Sequence, residues 1–190
     1  MDDRSARGAV GLFGKLPARG DFVRAGLPGD FVAAWDGWLQ HVIADSRARM
    51  GADWLPAFLE APVWRFALAP GLCGAAAASG LWLPSVDRVG RYFPLTLAAM
   101  LPMAAADWLD AAEAAGRAAL ETDATPEEVL RRLPGVAAAP GAVAPAGSLW
   151  WTAGGPRVAA GRLALPGMPD ADAFVTMLST QSAETAEAGT

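Results

Sequence analysis

The sequence predicts a single α/β domain built on one mixed, largely antiparallel sheet covered by helices. The first observation behind this is apolar content. Hydrophobic residues make up 53% of the 190-residue chain and include eight tryptophans, ample for one packed core but not for two. The second is the order of local patterns, which runs strand, helix, three strands, helices, hairpin, helix. The third is the absence of any internal repeat, which sets solenoid architectures aside.

Residues 10–14 are short, apolar and glycine-bounded, a strand entering a loop over 15–29 that carries Pro17, Gly20, Gly26, Pro28 and two arginines. Asp30 is the expected N-cap of the first long helix. Phe31, Trp35, Trp38, Leu39, Val42 and Ile43 recur at helical spacing there, and Gly51 follows as its stop. A short helical stretch spans 54–59. Three strands are then expected at 63–69, 79–86 and 92–101, with Pro94 marking the last as an edge or a bulge. The uncharged run 66–86 is long enough to span a bilayer, but Pro70-Gly71 is a turn signal, so it reads as two strands and a turn.

An alanine-rich helix follows over 104–121, with Trp108, Ala112, Ala115 and Leu120 on or near one face. Thr125-Pro126-Glu127-Glu128 combines an N-cap, a proline at the first helical position and a capping-box glutamate, which predicts a helix over 126–133. Residues 134–147, rich in Ala, Pro and Gly, read as a mobile surface loop. A hairpin is expected from strands 149–152 and 157–161 around Gly154-Gly155, and Asp170 caps a last helix to about Leu178. The domain is thus expected over 10–180, with an N-terminal tail at 1–9 and a disordered C-terminal tail at 181–190.

The net charge of −5 is uneven, for eleven acidic residues face five basic ones from Met103 to Thr190. No basic face for nucleic acid is visible, and an acidic half is repelled by anionic membranes. One cysteine, Cys73, allows no intramolecular disulfide and is compatible with a reducing compartment. The acidic opening Met1-Asp2-Asp3-Arg4 has no signal-peptide character.

Few motifs carry chemistry. Gly14-Lys15 evokes a phosphate loop, but Ala9 and Leu16 stand where that motif needs glycine and a hydroxyl side chain. His41, the only histidine, rules out a multi-histidine metal site and reads as a helix-surface residue. Cys73 lies in a turn without a nucleophile signature and reads as a structural thiol. A Cys73–His41 pair would be the only nucleophilic dyad, and Asp21 and Asp87 could be the pair of carboxylates that acid–base chemistry uses. Each is close in sequence to arginines (Arg19 and Arg24, Arg88 and Arg91), which suits an ion pair better than a general acid. The segment 85–91 either braces a turn through Asp87 and one of Arg88 and Arg91, or presents a recognition surface, with catalysis the remaining option. Trp150 and Trp151 share a strand and face opposite sides, so one is core while the other covers a helix or meets a partner.

Several of these segments, in this order, resemble the TagF family, also called ImpM, which is associated with type VI secretion. They are Gly11-Leu-Phe-Gly-Lys-Leu-Pro-Ala-Arg-Gly-Asp-Phe22, Trp35-Asp-Gly-Trp-Leu39, Trp64-Arg-Phe-Ala-Leu68, the run from Pro84 to Thr96, and Ser148-Leu-Trp-Trp151. The resemblance spans roughly residues 10–178. It implies helices on both faces of the sheet, similar to longin-type domains. It also implies a cytoplasmic, post-translational repressor of type VI secretion in Gram-negative bacteria. The implied partner is the forkhead-associated (FHA) scaffold protein of that system. Some relatives carry a fused phosphatase domain, for which this chain is too short, and the resemblance supplies no catalytic set.

The expected function is therefore regulation by protein–protein binding, not enzymatic turnover, without cofactor or metal, nucleic acid or membrane insertion. Candidate partner-binding residues are Lys15, Arg19, Asp21, Arg24, Asp87, Arg88, Arg91, Trp150 and Trp151. The alternative is a regulatory domain that binds a small anionic ligand between the 15–24 loop and the 87–91 turn.

Overall fold

A computed structural model of the chain describes residues 8–180. Both expected tails, except for residues 8 and 9, lie outside the described residues. One sheet organises the domain. Its strands are β1 (Val10–Gly14), β2 (Val23–Ala25), β3 (Trp64–Leu68), β4 (Ala78–Leu83), β5 (Leu95–Ala99), β6 (Ser148–Thr152) and β7 (Gly161–Leu165). Their spatial order is β2-β1-β5-β4-β3-β6-β7. Every neighbouring pair is antiparallel, so the sheet is not mixed. β2 and β3 run in the same direction, joined by the crossover 26–63, but β1, β5 and β4 lie between them, so no two neighbours are parallel.

Side chains alternate across the sheet and feed a core on each face. On one face Phe66, Trp82 and Trp150 pack under α1 (Gly29–Met50), α2 (Trp54–Leu59) and α5 (Ala171–Leu178). Trp35 of α1 is the centre of this layer. It is fully buried, its ring lies 4.6 Å from Phe66 and 6.0 Å from Trp150, and its Nε1 donates to Thr96 Oγ1 at 2.9 Å. On the other face Leu81, Leu95 and Leu97 meet Trp108, Leu109 and Ala112 of α3 (Ala106–Glu121) and Val129 of α4 (Pro126–Arg131). The helices thus cover both faces, as expected.

Four local expectations are corrected. Pro28, not Asp30, occupies the N-cap of α1, and Asp30 sits in the first turn. Its carboxylate accepts from the Ala75 N–H at 3.0 Å, which ties α1 to the β3–β4 connection. Hydrogen bonds from the Ala75 and Phe31 amides hold that carboxyl below its ordinary pKa. Pro94 does not mark an edge: β5 lies between β1 and β4, and Pro94 falls one residue before it, where its missing N–H removes no ladder bond. The second strand of the C-terminal hairpin begins at Gly161, four residues later than expected. Residues 153–160 make a wider loop, held by the Gly155 N–H to Val158 carbonyl bond and by the Arg157–Glu60 ion pair at 2.6 Å. The 134–147 segment is irregular but anchored, with Ala105 donating to Ala137 and Ala139 to Met103.

The capping box at Thr125 forms as its spacing predicts. Thr125 Oγ1 accepts from the Glu128 N–H at 3.2 Å, and Glu128 accepts from the Thr125 N–H at 2.8 Å. Because α4 is short and cannot sustain itself, Thr125→Ala should cost about 1 kcal/mol. A urea titration would show this as a lower midpoint at unchanged slope.

Candidate functional site

The sequence-predicted residues converge at the end of the sheet where β1 leaves and β5 enters. Gly14 closes β1 with φ +137°, and a Cβ there would collide with the Pro94 carbonyl oxygen. That close approach brings the chain after β1 against the turn 84–94 between β4 and β5. Lys15, the next residue, is 4% exposed and pairs with Asp87, which is 3% exposed.

Asp87 is satisfied on both oxygens. Oδ1 accepts from the Val89 N–H at 3.0 Å and the Arg91 N–H at 2.9 Å, and Oδ2 accepts from Arg91 Nε at 2.7 Å and from Lys15 Nζ. Burial pushes this carboxyl up. The Lys15 ammonium, the Arg91 amide and guanidinium, and the Val89 amide outweigh it and hold the group well below the usual carboxylate range. A carboxyl locked in its ionised form cannot serve as a general acid near neutral pH. Asp21 is fully exposed and lies 4.0 Å from Arg91.

Further bonds staple the two segments. Ser85 Oγ donates to the Lys15 carbonyl at 2.7 Å, the Arg88 N–H donates to the Arg19 carbonyl at 2.9 Å, and Arg91 donates to the Gly20 carbonyl. Phe22 lies over this junction, stacked on Phe13 at 5.6 Å and edge-on to Phe93 at 4.8 Å, with the Lys15 ammonium 4.7 Å from its ring. Half of Phe22 still faces solvent, at 47% exposure, and Val89 at the turn tip is 65% exposed. Around them Arg19, Arg24, Arg88 and Arg91 are all exposed. The result is an exposed surface of Arg19, Arg88 and Arg91 with two apolar side chains, flanked by Arg24 on β2 opposite Phe13, in which Asp21 is the exposed carboxylate.

Of the nine candidates, then, six meet here, in two roles, and Arg24 flanks them on β2. Lys15 and Asp87 are buried and position the loops, so they cannot touch a partner. Arg91 bridges both roles, while Arg88 contributes its backbone to the staple. Trp150 and Trp151 are elsewhere: β5, β4 and β3 separate β6 from β1. Trp150 is fully buried with its Nε1 on Ser148 Oγ at 2.9 Å. Trp151 faces the other side, half-buried beside Arg65 and Arg117 of a small groove. The expected opposition of the two rings is thus present, and neither belongs to the arginine surface.

Sequence reasoning missed Lys15 as the partner of Asp87. A signal existed, since it is the only lysine in a chain that otherwise uses arginine, but the two are 72 positions apart. Phe22 and Val89 give no signal in the sequence, because single exposed apolar residues carry no pattern.

His41 lies on α1 and Cys73 in the β3–β4 connection. His41 is on the solvent side of α1, 3.6 Å from Asp45. Cys73 is buried with its sulfur 3.9 Å from that of Met168, and burial pushes its thiol up to about 12. Among the described residues no group of three or more His, Cys, Asp or Glu could hold a metal, and no helix is long and apolar enough to cross a membrane.

Comparison with known proteins accords with this architecture. The chain is similar to the crystal structure of PA0076 from Pseudomonas aeruginosa PAO1, at 37% identity and a TM-score of 0.78 over 90% of this chain and 94% of that one. No curated protein matches. The family described as the TagF N-terminal domain, type VI secretion system-associated, matches residues 11–136, which run from the second residue of β1 past the end of α4 and include the whole Lys15–Asp87–Arg91 junction. The chain belongs to the TagF family of type VI secretion-associated proteins.

Proposed function

We propose that this chain is a cytoplasmic, post-translational repressor of type VI secretion that acts by binding the FHA scaffold protein of the system. The observation that carries the reading is the arginine surface. An ion-paired junction fixes the Arg91 side chain and the backbone at Arg19 and Arg88, with Arg24 beside it on β2 and two apolar side chains exposed, in a protein whose net charge is negative. Arginine and aromatic side chains on a rigid support dominate interface energies, because little side-chain entropy is lost on docking.

The contact does not require a phosphothreonine on this chain. FHA domains read phosphothreonine through arginine-rich loops of their own. Here the hydroxyls of Thr122, Thr125 and Thr180 are engaged locally, with the Ala118 carbonyl, the Glu128 N–H and the Arg157 carbonyl. Thr185 and Thr190 lie outside the described residues.

Overexpression in a bacterium with an active system, paired with pull-down of the scaffold, tests both parts. Excess protein should suppress secretion of the tube protein. A variant with alanine at 122, 180, 185 and 190 and Thr125→Asn, which keeps the cap, should bind the scaffold as wild type does. Normal secretion under strong overexpression would refute repression, and binding lost in the threonine-free variant would refute the phosphate-independent contact.

A further inference from the structure

Beside the arginine surface, and sharing Arg91 with it, runs a groove of about 780 Å³. Arg47, Gly51, Ala52, Trp54 and Leu55 form one wall, and Gly90, Arg91 and Tyr92 form the other. Its chemistry is one-sided. Two arginines line it and no carboxylate does, although Asp53 is exposed nearby on the 3-10 turn 51–53.

Both arginines are held in place before anything binds. The Arg47 guanidinium carbon sits 4.1 Å from the centre of the Trp54 ring, whose other neighbours are Phe58, stacked at 4.7 Å, and Ser46, which accepts from Nε1 at 2.8 Å. Arg91 is fixed through Nε by Asp87 and through Nη2 by the Gly20 carbonyl, with Asp21 4.0 Å away, and the Lys15–Asp87–Arg91 cluster keeps one net positive charge on this wall. A guanidinium already stacked or clamped loses little freedom when it meets an anion, so such a pair recognises carboxylates at low entropic cost. Between them Leu55 and Tyr92 are half-buried, giving an apolar floor. Gly51, Ala52 and Gly90 carry little or no side chain, so an extended backbone can approach closely.

We infer that this groove is the seat of an acidic, extended protein segment carrying one apolar anchor residue, contributed by the partner that the arginine surface engages. The inference rests on the binding reading above and adds what that partner must present. Carboxylates of the segment lie against Arg47 and Arg91, the anchor rests on Leu55 and Tyr92, and the continuation of the chain crosses Val89 toward Arg88 and Arg19. Charge complementarity commits the occupant. The groove repels a basic segment and a second copy of its own arginine-rich end, while its floor gives a bare anion nothing to rest on.

The test uses the full chain with the full-length FHA scaffold, and separately with a short fluorescein-labelled peptide of glutamates around one leucine. Arg47→Glu and Leu55→Ser should each weaken scaffold binding about tenfold while the protein still melts as wild type, and Arg47→Lys should lose less. Wild-type binding should weaken with added salt, and Arg47→Glu should flatten that dependence. If wild type binds the scaffold but both groove variants bind within twofold of it at every salt concentration, the groove inference is overturned and the repressor reading stands. If wild type does not bind the scaffold, that reading falls, and the peptide decides the groove alone. Peptide binding lost in Arg47→Glu upholds it. No peptide binding, or binding of inorganic phosphate in its place, overturns it.

Discussion

Asp87→Ala is expected to lower the melting temperature by roughly 10 °C at neutral pH, because it strands the buried Lys15 ammonium. It also removes the acceptor for two backbone amides of the turn. Asp87→Asn should be milder, since an amide oxygen can still accept from Val89 and Arg91. The effect has a pH signature. The Asp87 carboxyl is held below its ordinary value of 3.8 in the folded protein, so its stabilisation is fully present above that value and is lost as pH falls through the lower folded one. The gap between wild type and Asp87→Asn should therefore be constant from neutral pH to about pH 5 and narrow in more acidic solution. Melts across that range check it. A gap that widened on acidification would mean that the carboxylate is not held ionised by its partners.

Trp35→Ala should be at least as damaging, at about 3–5 kcal/mol, for a different reason. The ring is fully buried among Phe31, Phe66 and Trp150, and deleting it leaves a cavity that the sheet beneath cannot close. It also leaves the Thr96 hydroxyl without the Nε1 donor. No titratable group takes part, so this loss should stay level with pH where that of Asp87 does not. Chemical denaturation at two pH values separates the cases: equal pH slopes for the two variants would contradict the proposed role of the junction. Trp35→Phe, which keeps most of the volume and loses the hydrogen bond, should fall well short of the alanine variant.

These effects rest on features that were unequally legible in the amino-acid sequence. The aromatic stripe of α1, the capping box at Thr125 and the Asp170 cap of α5 are local, so spacing alone places them within a residue or two. Asp30 shows where local reasoning fails: Pro28 gives the helix its start, and the carboxylate is used by a distant amide at Ala75. The two-residue signal Gly154-Gly155 likewise reads as a tight hairpin, whereas a contact from outside it, Arg157 to Glu60, accompanies a wider loop. The strand β2 is three residues long and has no periodicity to detect. It exists because the chain after Lys15 doubles back along β1. At the candidate site the arginines and Asp87 stand out in sequence as a polar segment between apolar ones. Their division into buried struts and exposed contacts could not be seen, because it depends on the approach of Gly14 to Pro94.

The junction also fixes when the surface comes into being. Lys15 meets Asp87 only after the intervening chain has been synthesised, and β1 waits for Ala99 to complete its pairing with β5. At the usual pace of translation that is a delay of several seconds or more, during which β1 has only the short β2 beside it. Contacts of such long range form late in folding, after loop closure has been overcome. A nascent or truncated chain ending before Arg91 therefore carries Arg19 and Arg24 without the frame that orients them. The frame that orients these arginines arrives only with the finished fold.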